Sequence, residues 1–133
     1  MFGQNQYDTG TPIYLQIIKR IRQKIVSGEW PPGDRVPTVR DMAIEFGVNP
    51  NTMQRSLSEL ERDGLVYSDR TVGRFITKDA SIIDAARDSM AREVAEEFCR
   101  QMAGMGYTPD QTRKQLETAL EQPAASTMKE EII

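Results

Sequence analysis

The first apolar stripe of the chain has helical spacing. Its members are isoleucines that recur every four residues: Ile13, Ile17, Ile21 and Ile25. Apolar residues three or four positions apart form one face of an amphipathic α-helix. Proline suits the first turn of a helix and glycine suits its end, so Pro12 and Gly28 delimit the segment. The pattern predicts a first helix from about residue 12 to residue 27.

Two shorter helical segments follow, and a sharp turn separates them. Thr38 with Asp41 three residues later has the pattern of an N-cap and an acidic first turn, which begins a helix of about eight residues. Gly47 can adopt the positive φ angle that a sharp turn needs. Asn49 followed by proline begins the next helix, which Gly64 ends. These signals predict a helix-turn-helix.

Residues with strand chemistry come next. Segments 65–67 and 74–77 are β-branched, apolar or aromatic in most positions, and they flank the segment 68–73, which is rich in turn-forming residues. The pattern predicts a two-stranded hairpin. A hairpin directly after a helix-turn-helix is the arrangement of a winged helix, which we assign to residues 1–78.

Helical spacing returns after the hairpin. Apolar residues three or four apart predict a long helix from about residue 81 to residue 103, and Thr108–Gln111 has the pattern of a capping box that opens another helix. We expect a helical dimerisation region at 79–122 and a flexible tail at 123–133. The predicted fold class is α+β and mostly helical, with an N-terminal winged helix-turn-helix and a C-terminal two-helix tail.

The composition narrows the possible functions. The chain has 133 residues, of which 38% are hydrophobic, and no stretch of the sequence is apolar enough to predict a membrane span. Its polar start lacks the features of a signal peptide, so we expect a cytoplasmic protein. One cysteine, Cys99, and no histidine exclude an internal disulfide and remove the commonest metal ligand and general base. We therefore expect no enzyme, no cofactor and no metal site.

Charge is distributed unevenly along the chain, whose formal net charge is −3. Residues 1–78 carry 11 Lys and Arg against 9 Asp and Glu, whereas residues 79–133 carry 6 against 11. A DNA-binding region needs positive charge only on the face that meets phosphate. The mildly basic first part is therefore compatible with DNA, and we expect the acidic second part to face away from it.

The start of the predicted third helix has side chains that suit the reading of DNA bases. Its outward positions are polar or basic: Asn51, Thr52, Gln54 and Arg55. In the major groove, Asn and Gln pair with adenine, Arg pairs with guanine, and Thr contacts phosphate or the thymine methyl group. In the hairpin, Arg70 and Arg74 are placed to reach a neighbouring phosphate or the minor groove. The pattern indicates a sequence-specific protein that binds double-stranded DNA.

Three segments in consecutive order resemble the GntR family of bacterial transcription regulators. They are Pro32–Arg40, Gly47–Thr52 and Leu60–Leu65, with the sequences PGDRVPTVR, GVNPNT and LERDGL. The resemblance extends from about residue 13 to residue 77 and implies a winged helix that contacts DNA. The contact positions that it implies lie at the start of the second helix, at the start of the third helix and in the wing: Arg40, Asn49, Asn51, Thr52, Gln54, Arg55, Arg70, Gly73 and Arg74.

The short C-terminal region resembles that of the YtrA subfamily, in which a two-helix tail serves dimerisation and members are often repressors. The long helix carries an apolar stripe: Ile83, Met90, Val94 and Phe98. One thin partner helix cannot cover this stripe within the chain, so we expect a second copy to cover it. The combined expectation is a homodimeric repressor that binds an inverted-repeat operator. The sequence leaves the existence of a small-molecule effector open.

Some of these residues also fit other functions. Four residues of the tail carry soft sulfur ligands suited to Cu(I): Met90, Cys99, Met102 and Met105. Their helical spacing favours packing instead. Arg40 is also placed for a surface ion pair with Asp41 or Glu45. Finally, the negative net charge suits a winged-helix module that binds protein rather than DNA.

Overall fold

The computed structural model describes residues 7–122, which form five helices and a two-stranded sheet. In chain order the elements are α1 (Ile13–Val26), α2 (Val39–Phe46), α3 (Pro50–Arg62), β1 (Val66–Asp69), β2 (Gly73–Ile76), α4 (Ala80–Gly104) and α5 (Pro109–Leu120). The predicted α+β, mostly helical class with a winged helix-turn-helix is confirmed. The predicted tail at 123–133 lies outside the described residues. No helix within residues 7–122 is long and apolar enough to cross a membrane.

The chain divides into two compact units, the first ending at Ser89 and the second beginning at Met90. The core of the first unit lies where α1, α2 and α3 meet. Its fully buried apolar side chains on these helices are Ile17, Ile21, Ile25, Met42, Met53, Leu57 and Leu60. The buried stripe of α1 begins at Ile17 rather than at Ile13, where the predicted stripe begins, because Ile13 is 44% exposed.

Local capping bonds fix the ends of α2 and α3 as the sequence predicts. The Thr38 hydroxyl accepts a hydrogen bond from the Asp41 backbone N–H at 3.1 Å. Gly47 has φ +69°, a left-handed conformation that costs a glycine little and ends α2 sharply. The Asn49 side-chain oxygen accepts from the Asn51 backbone N–H at 2.7 Å and caps α3. These three devices set the turn between the two helices.

In the wing, β1 is one residue longer, β2 begins one residue earlier and the loop is shorter than the sequence predicts. The register pairs Asp69 with Gly73, so the predicted turn at 68–73 is reduced to the loop 70–72. The physical reason is that Asp69, the last residue of β1, stabilises the turn through its side chain while its backbone remains in the strand. Its carboxylate accepts hydrogen bonds from the Thr71 backbone N–H at 3.1 Å and the Thr71 hydroxyl at 2.9 Å. These bonds hold the pKa of Asp69 below its ordinary value.

The loop before α2 adds backbone pairing to the free edge of β2. The Val36 N–H donates to the Arg74 carbonyl at 2.8 Å, and the Ile76 N–H donates to the Asp34 carbonyl at 2.8 Å. Arg35 and Phe75 form an antiparallel bridge between these bonds. The loop therefore joins the wing to the start of the helix-turn-helix.

The start of α4 belongs to the first unit rather than to a free dimer surface. Ile83 is only 6% exposed and is part of the core, and Ile82 and Ala86 pack against it. The sequence assigned Ile83 to an uncovered stripe because periodicity alone does not show which neighbour covers a helix face. Its side chain is covered within the chain, so we remove it from the dimerisation residues.

The second unit contains the rest of α4 and α5, the two tail helices that the sequence predicts. Met102 is 8% exposed, and its carbonyl accepts the Tyr107 N–H at 3.0 Å where the chain leaves α4. Thr108 and Gln111 form the predicted capping box at the start of α5. Glu97 on α4 accepts hydrogen bonds from Gln101 and Arg100, which lower its pKa.

Tyr7 anchors the segment before α1 to the helix-turn-helix. Its hydroxyl donates to the Phe46 carbonyl at 2.7 Å, at the end of α2. The Arg20 guanidinium carbon lies 4.5 Å from the centre of the Tyr7 ring. Burial raises the pKa of Tyr7 above its ordinary value, and the positive charge of Arg20 opposes this effect.

We expect Tyr7→Phe to destabilise the fold by about 1 kcal/mol at pH 8, because it removes a half-buried hydrogen bond. The pKa of Tyr7 is higher in the folded chain than in the unfolded chain. The stabilisation is therefore complete below the unfolded pKa of about 10 and is lost as the pH rises through the folded value. Urea unfolding at pH 8 and at pH about 11 measures the difference between the two proteins, which should shrink at high pH.

Tyr67→Phe is the control, because it removes a tyrosine hydroxyl from the wing and not the hydroxyl that bonds to Phe46. A Tyr7→Phe protein as stable as the unaltered protein at pH 8 would show that the segment does not anchor the helix-turn-helix.

Candidate nucleic-acid interface

The start of α3 presents polar side chains on the side opposite the core. Its inward face is fixed by Met53, Leu57 and Leu60, none of which is exposed. Ser56 is also fully buried. Its hydroxyl is a donor that lies 3.2 Å from the Tyr14 carbonyl oxygen and 3.0 Å from the Thr52 carbonyl oxygen. Because this face cannot rotate away from α1, the side chains on the other face have a fixed direction.

The predicted base-reading residues occupy that outer face as expected. Asn51 and Gln54 are exposed, and Thr52 is half-buried. The Gln54 amide nitrogen donates to the Ser58 hydroxyl at 3.2 Å, one turn further along the helix. Asn49 uses its side-chain oxygen for the cap of α3, which leaves its amide nitrogen as the atom that suits a DNA contact.

Arg55 lies on an aromatic ring rather than extending freely from α3. Its guanidinium carbon is 3.7 Å from the centre of the Tyr14 ring on α1. A cation above an aromatic ring at this distance is stabilised by the negative face of the ring. The contact fixes the direction of the guanidinium, so any base contact by Arg55 must either keep this stacking or give it up.

Arg40 lies in the first turn of α2 with an exposed side chain. Among residues 7–122 it forms no salt bridge, so the alternative ion pair with Asp41 or Glu45 is not observed. An exposed guanidinium beside the start of a helix suits the binding of a phosphate group, since arginine offers paired donors to two oxygens.

The three predicted wing residues have different surroundings. Arg70 is exposed in the loop at the tip, and Gly73, with φ +132°, begins β2. Arg74 instead points back towards α3, where its Nε lies 3.2 Å from a Glu61 carboxylate oxygen. The Ser68 hydroxyl donates to the same oxygen. Glu61 therefore ties both strands of the wing to α3, and the charge of Arg74 is already paired.

Sequence reasoning missed Arg35 as a member of this surface. Its side chain is exposed, and its guanidinium lies against Gly73 of the wing. No periodic signal identifies the residue, because the pairing that brings it to the wing joins positions 35 and 75. The one local clue is that Arg35 precedes the buried Val36, and neighbouring residues of an extended segment face opposite sides.

Comparison with known proteins shows which family has this arrangement. The family model described as bacterial regulatory proteins, gntR family, matches residues 13–76. The chain is 44% identical over 117 residues to the uncharacterized HTH-type transcriptional regulator YhcF of Bacillus subtilis (strain 168), covering 88% of this chain and 97% of YhcF. It is 39% identical over 72 residues to the HTH-type transcriptional repressor YtrA of the same organism, covering 54% of this chain and 55% of YtrA.

The likeness in structure extends beyond the winged helix. A GntR family transcriptional regulator from Listeria monocytogenes superimposes with a TM-score of 0.78 at 31% identity, covering 84% of this chain and 98% of that chain. The resemblance stated from the three sequence segments is thereby confirmed, with YtrA among the relatives. The chain belongs to the GntR family of bacterial regulatory proteins and is a DNA-binding transcription regulator.

Proposed function

We propose that the chain represses transcription in the cytoplasm by binding an inverted-repeat operator as a homodimer. The observation that carries the proposal is the exposed polar start of α3, whose opposite face is fixed in the core. A recognition helix with its first turns exposed fits the major groove, where base edges are distinguishable. Occupation of a promoter by such a protein blocks polymerase without any further activity.

The residues proposed to contact DNA divide by the chemistry of the contact. The residues proposed to contact base edges or the atoms next to them lie in α3 and its N-cap: Asn49, Asn51, Thr52, Gln54 and Arg55. Arg40 and Arg70 have exposed guanidinium groups and are proposed to hold phosphate. Gly73 is proposed to let the wing approach DNA closely, because it has no side chain. Arg74 is proposed to reach DNA only if its pairing with Glu61 is exchanged or shared.

The second unit is proposed to form the dimer contact. Met90, Val94 and Phe98 are spaced by four residues on α4, and Val94 is 67% exposed. On α5, Leu116 is 43% exposed and Leu120 is 70% exposed. Apolar side chains that recur at helical spacing and stay exposed in one chain are typical of a surface that a second chain covers. We propose the DNA-binding region at 1–78 and the dimerisation region at 79–122, with the dimer contact formed by the part of α4 after Ser89 and by α5.

The name of one relative supports the direction of regulation. YtrA of Bacillus subtilis (strain 168), which is 39% identical to this chain over 72 residues, is a transcriptional repressor. The short second unit offers no large effector domain within the described residues. Repression by occupancy is therefore the mechanism that this chain supports best.

We expect Val94→Glu to convert the dimer to monomer, because it places a charge in an apolar contact. Sedimentation of the full chain at micromolar concentration measures the change. Ile44→Glu is the matched control, since Ile44 is 69% exposed on the first unit and its substitution should leave the dimer intact. A monomeric unaltered protein, or equal dissociation by both variants, would refute the assignment of the second unit.

We expect selection from a random duplex pool to recover two mirrored half-sites, because a two-fold dimer matches pseudo-two-fold DNA. Recovery of a single asymmetric motif would contradict the inverted repeat. A protein that shifts no duplex at low salt would support the alternative protein-interaction module instead.

Substitutions of Gln54 and Arg40 should separate base reading from phosphate binding. Gln54→Ala should weaken binding to the selected site by about 1–3 kcal/mol and leave random duplex nearly unaffected. Arg40→Ala should weaken binding to every duplex and lower the slope of log affinity against log salt by about one unit. Titrations of both duplexes over a salt series measure these changes.

Ser58→Ala is the control for Gln54, because it removes the hydroxyl that Gln54 contacts without removing a proposed base-reading group. Equal losses on all sequences for Gln54→Ala and Arg40→Ala would show that α3 does not read bases.

A further inference from the structure

We infer that Arg35 is a phosphate-binding residue of the DNA interface and that it acts from the edge of the wing beside Gly73. The inference rests on the proposed function, since it adds a residue to the same surface. Three observations carry it: the backbone pairing that fixes Arg35 on the wing, the face on which its side chain emerges, and the lack of an acidic partner among the described residues.

The backbone around Arg35 is held as a short third strand. Its neighbours exchange hydrogen bonds with β2, from Val36 N–H to Arg74 carbonyl and from Ile76 N–H to Asp34 carbonyl, both at 2.8 Å. The Gly33 N–H donates to the Ile76 carbonyl at 2.9 Å and extends the pairing. Arg35 therefore has a fixed backbone position beside the wing, unlike an arginine in an unpaired loop.

The pleat of the sheet sends Arg35 and Arg74 to opposite faces. Side chains directly opposite each other on paired strands share a face, so Arg35, Phe75 and Tyr67 form one row across the three strands. The Phe75 and Tyr67 rings are stacked with centroids 5.6 Å apart. The neighbouring row contains Arg74, which meets Glu61 of α3. The inner row faces the helix, and Arg35 emerges on the outer face.

The absence of a side chain at Gly73 makes room for the Arg35 guanidinium on that face. A β-carbon at position 73 would lie 3.3 Å from Nη2 of Arg35, which is closer than ordinary contact, and 3.4 Å from Nε. The missing side chain thus leaves room for the guanidinium to lie along the wing. Gly73 directly follows the loop 70–72, so Arg35 adds a second cation near the wing end that already carries Arg70.

The charge of Arg35 is available, whereas that of Arg74 is not. Within residues 7–122 Arg35 forms no salt bridge, and its side chain is exposed. An arginine held on one side and open on the other offers its planar donors to a phosphate group with little loss of side-chain freedom. We therefore assign to Arg35 the phosphate contact that sequence reasoning gave to Arg74.

Neutral and charge-retaining substitutions test this assignment in the full-length protein. Arg35→Gln should weaken binding to the selected duplex and to random duplex alike, and it should lower the slope of log affinity against log salt by about one unit. Arg35→Lys should retain most of that slope, because the charge remains at the same position. Arg62→Gln is the matched control: Arg62 ends α3, its side chain is 76% exposed, and it pairs with Glu59 at 3.5 Å.

Thermal unfolding of each variant distinguishes binding from packing. If Arg35 only packs on the wing, Arg35→Gln and Arg35→Lys will both lower the midpoint of unfolding and leave the salt slope unchanged, which overturns the inference. A slope lowered equally by Arg62→Gln would also overturn the inference, since the loss of any positive charge would then be enough.

Arg40→Ala distinguishes the failure of this inference from the failure of the proposed function. If Arg40→Ala lowers the slope and Arg35→Gln does not, only this inference fails, whereas an unaltered protein that binds no duplex refutes the proposed function itself.

Discussion

The packing of α3 on α1 determines what the first unit can present to another molecule. Three apolar residues of α3 have no exposed surface, and the buried hydroxyl of Ser56 is satisfied by backbone carbonyls of both helices. A buried hydroxyl without a partner would cost free energy, so this pair of contacts also selects the rotation of α3 about its axis. The exposed polar face follows from that rotation. Arg55 is fixed in the same way, because the Tyr14 ring beneath it belongs to α1.

The wing depends on α3 in turn, through one carboxylate. Glu61 receives the guanidinium of Arg74 and the hydroxyl of Ser68, one from each strand, so the sheet has a defined direction relative to the recognition helix. The loop before α2 pairs with the other edge of β2. A shift of the wing would therefore disturb both α3 and the segment that leads to Arg40. The parts of the proposed interface are coupled by packing, although they are distant in sequence.

The sequence predicts best those features that depend on contacts between residues close together in the chain. Thr38, Gly47 and Asn49 act on backbone groups within three residues, so the helix-turn-helix is predicted nearly to the residue. The ends of the wing strands are predicted less well, because register depends on pairing rather than on composition. The burial of Ile83 and the place of Arg35 are not predicted at all. Both depend on partners far along the chain, which no local pattern reveals.

The formal net charge of −3 conceals how positive charge is arranged on the first unit. Several of its cations are paired with acids within the unit: Arg22 with Asp63, Lys24 with Glu29, Arg62 with Glu59 and Arg74 with Glu61. Arg35, Arg40 and Arg70 are exposed and form no salt bridge among residues 7–122. The potential near a surface depends on nearby charges, since salt screens those more than about 10 Å away. We therefore expect affinity for phosphate to depend on the arginines that form no salt bridge, and among residues 7–122 the wing and the start of α2 hold such arginines despite the acidic balance of the whole chain.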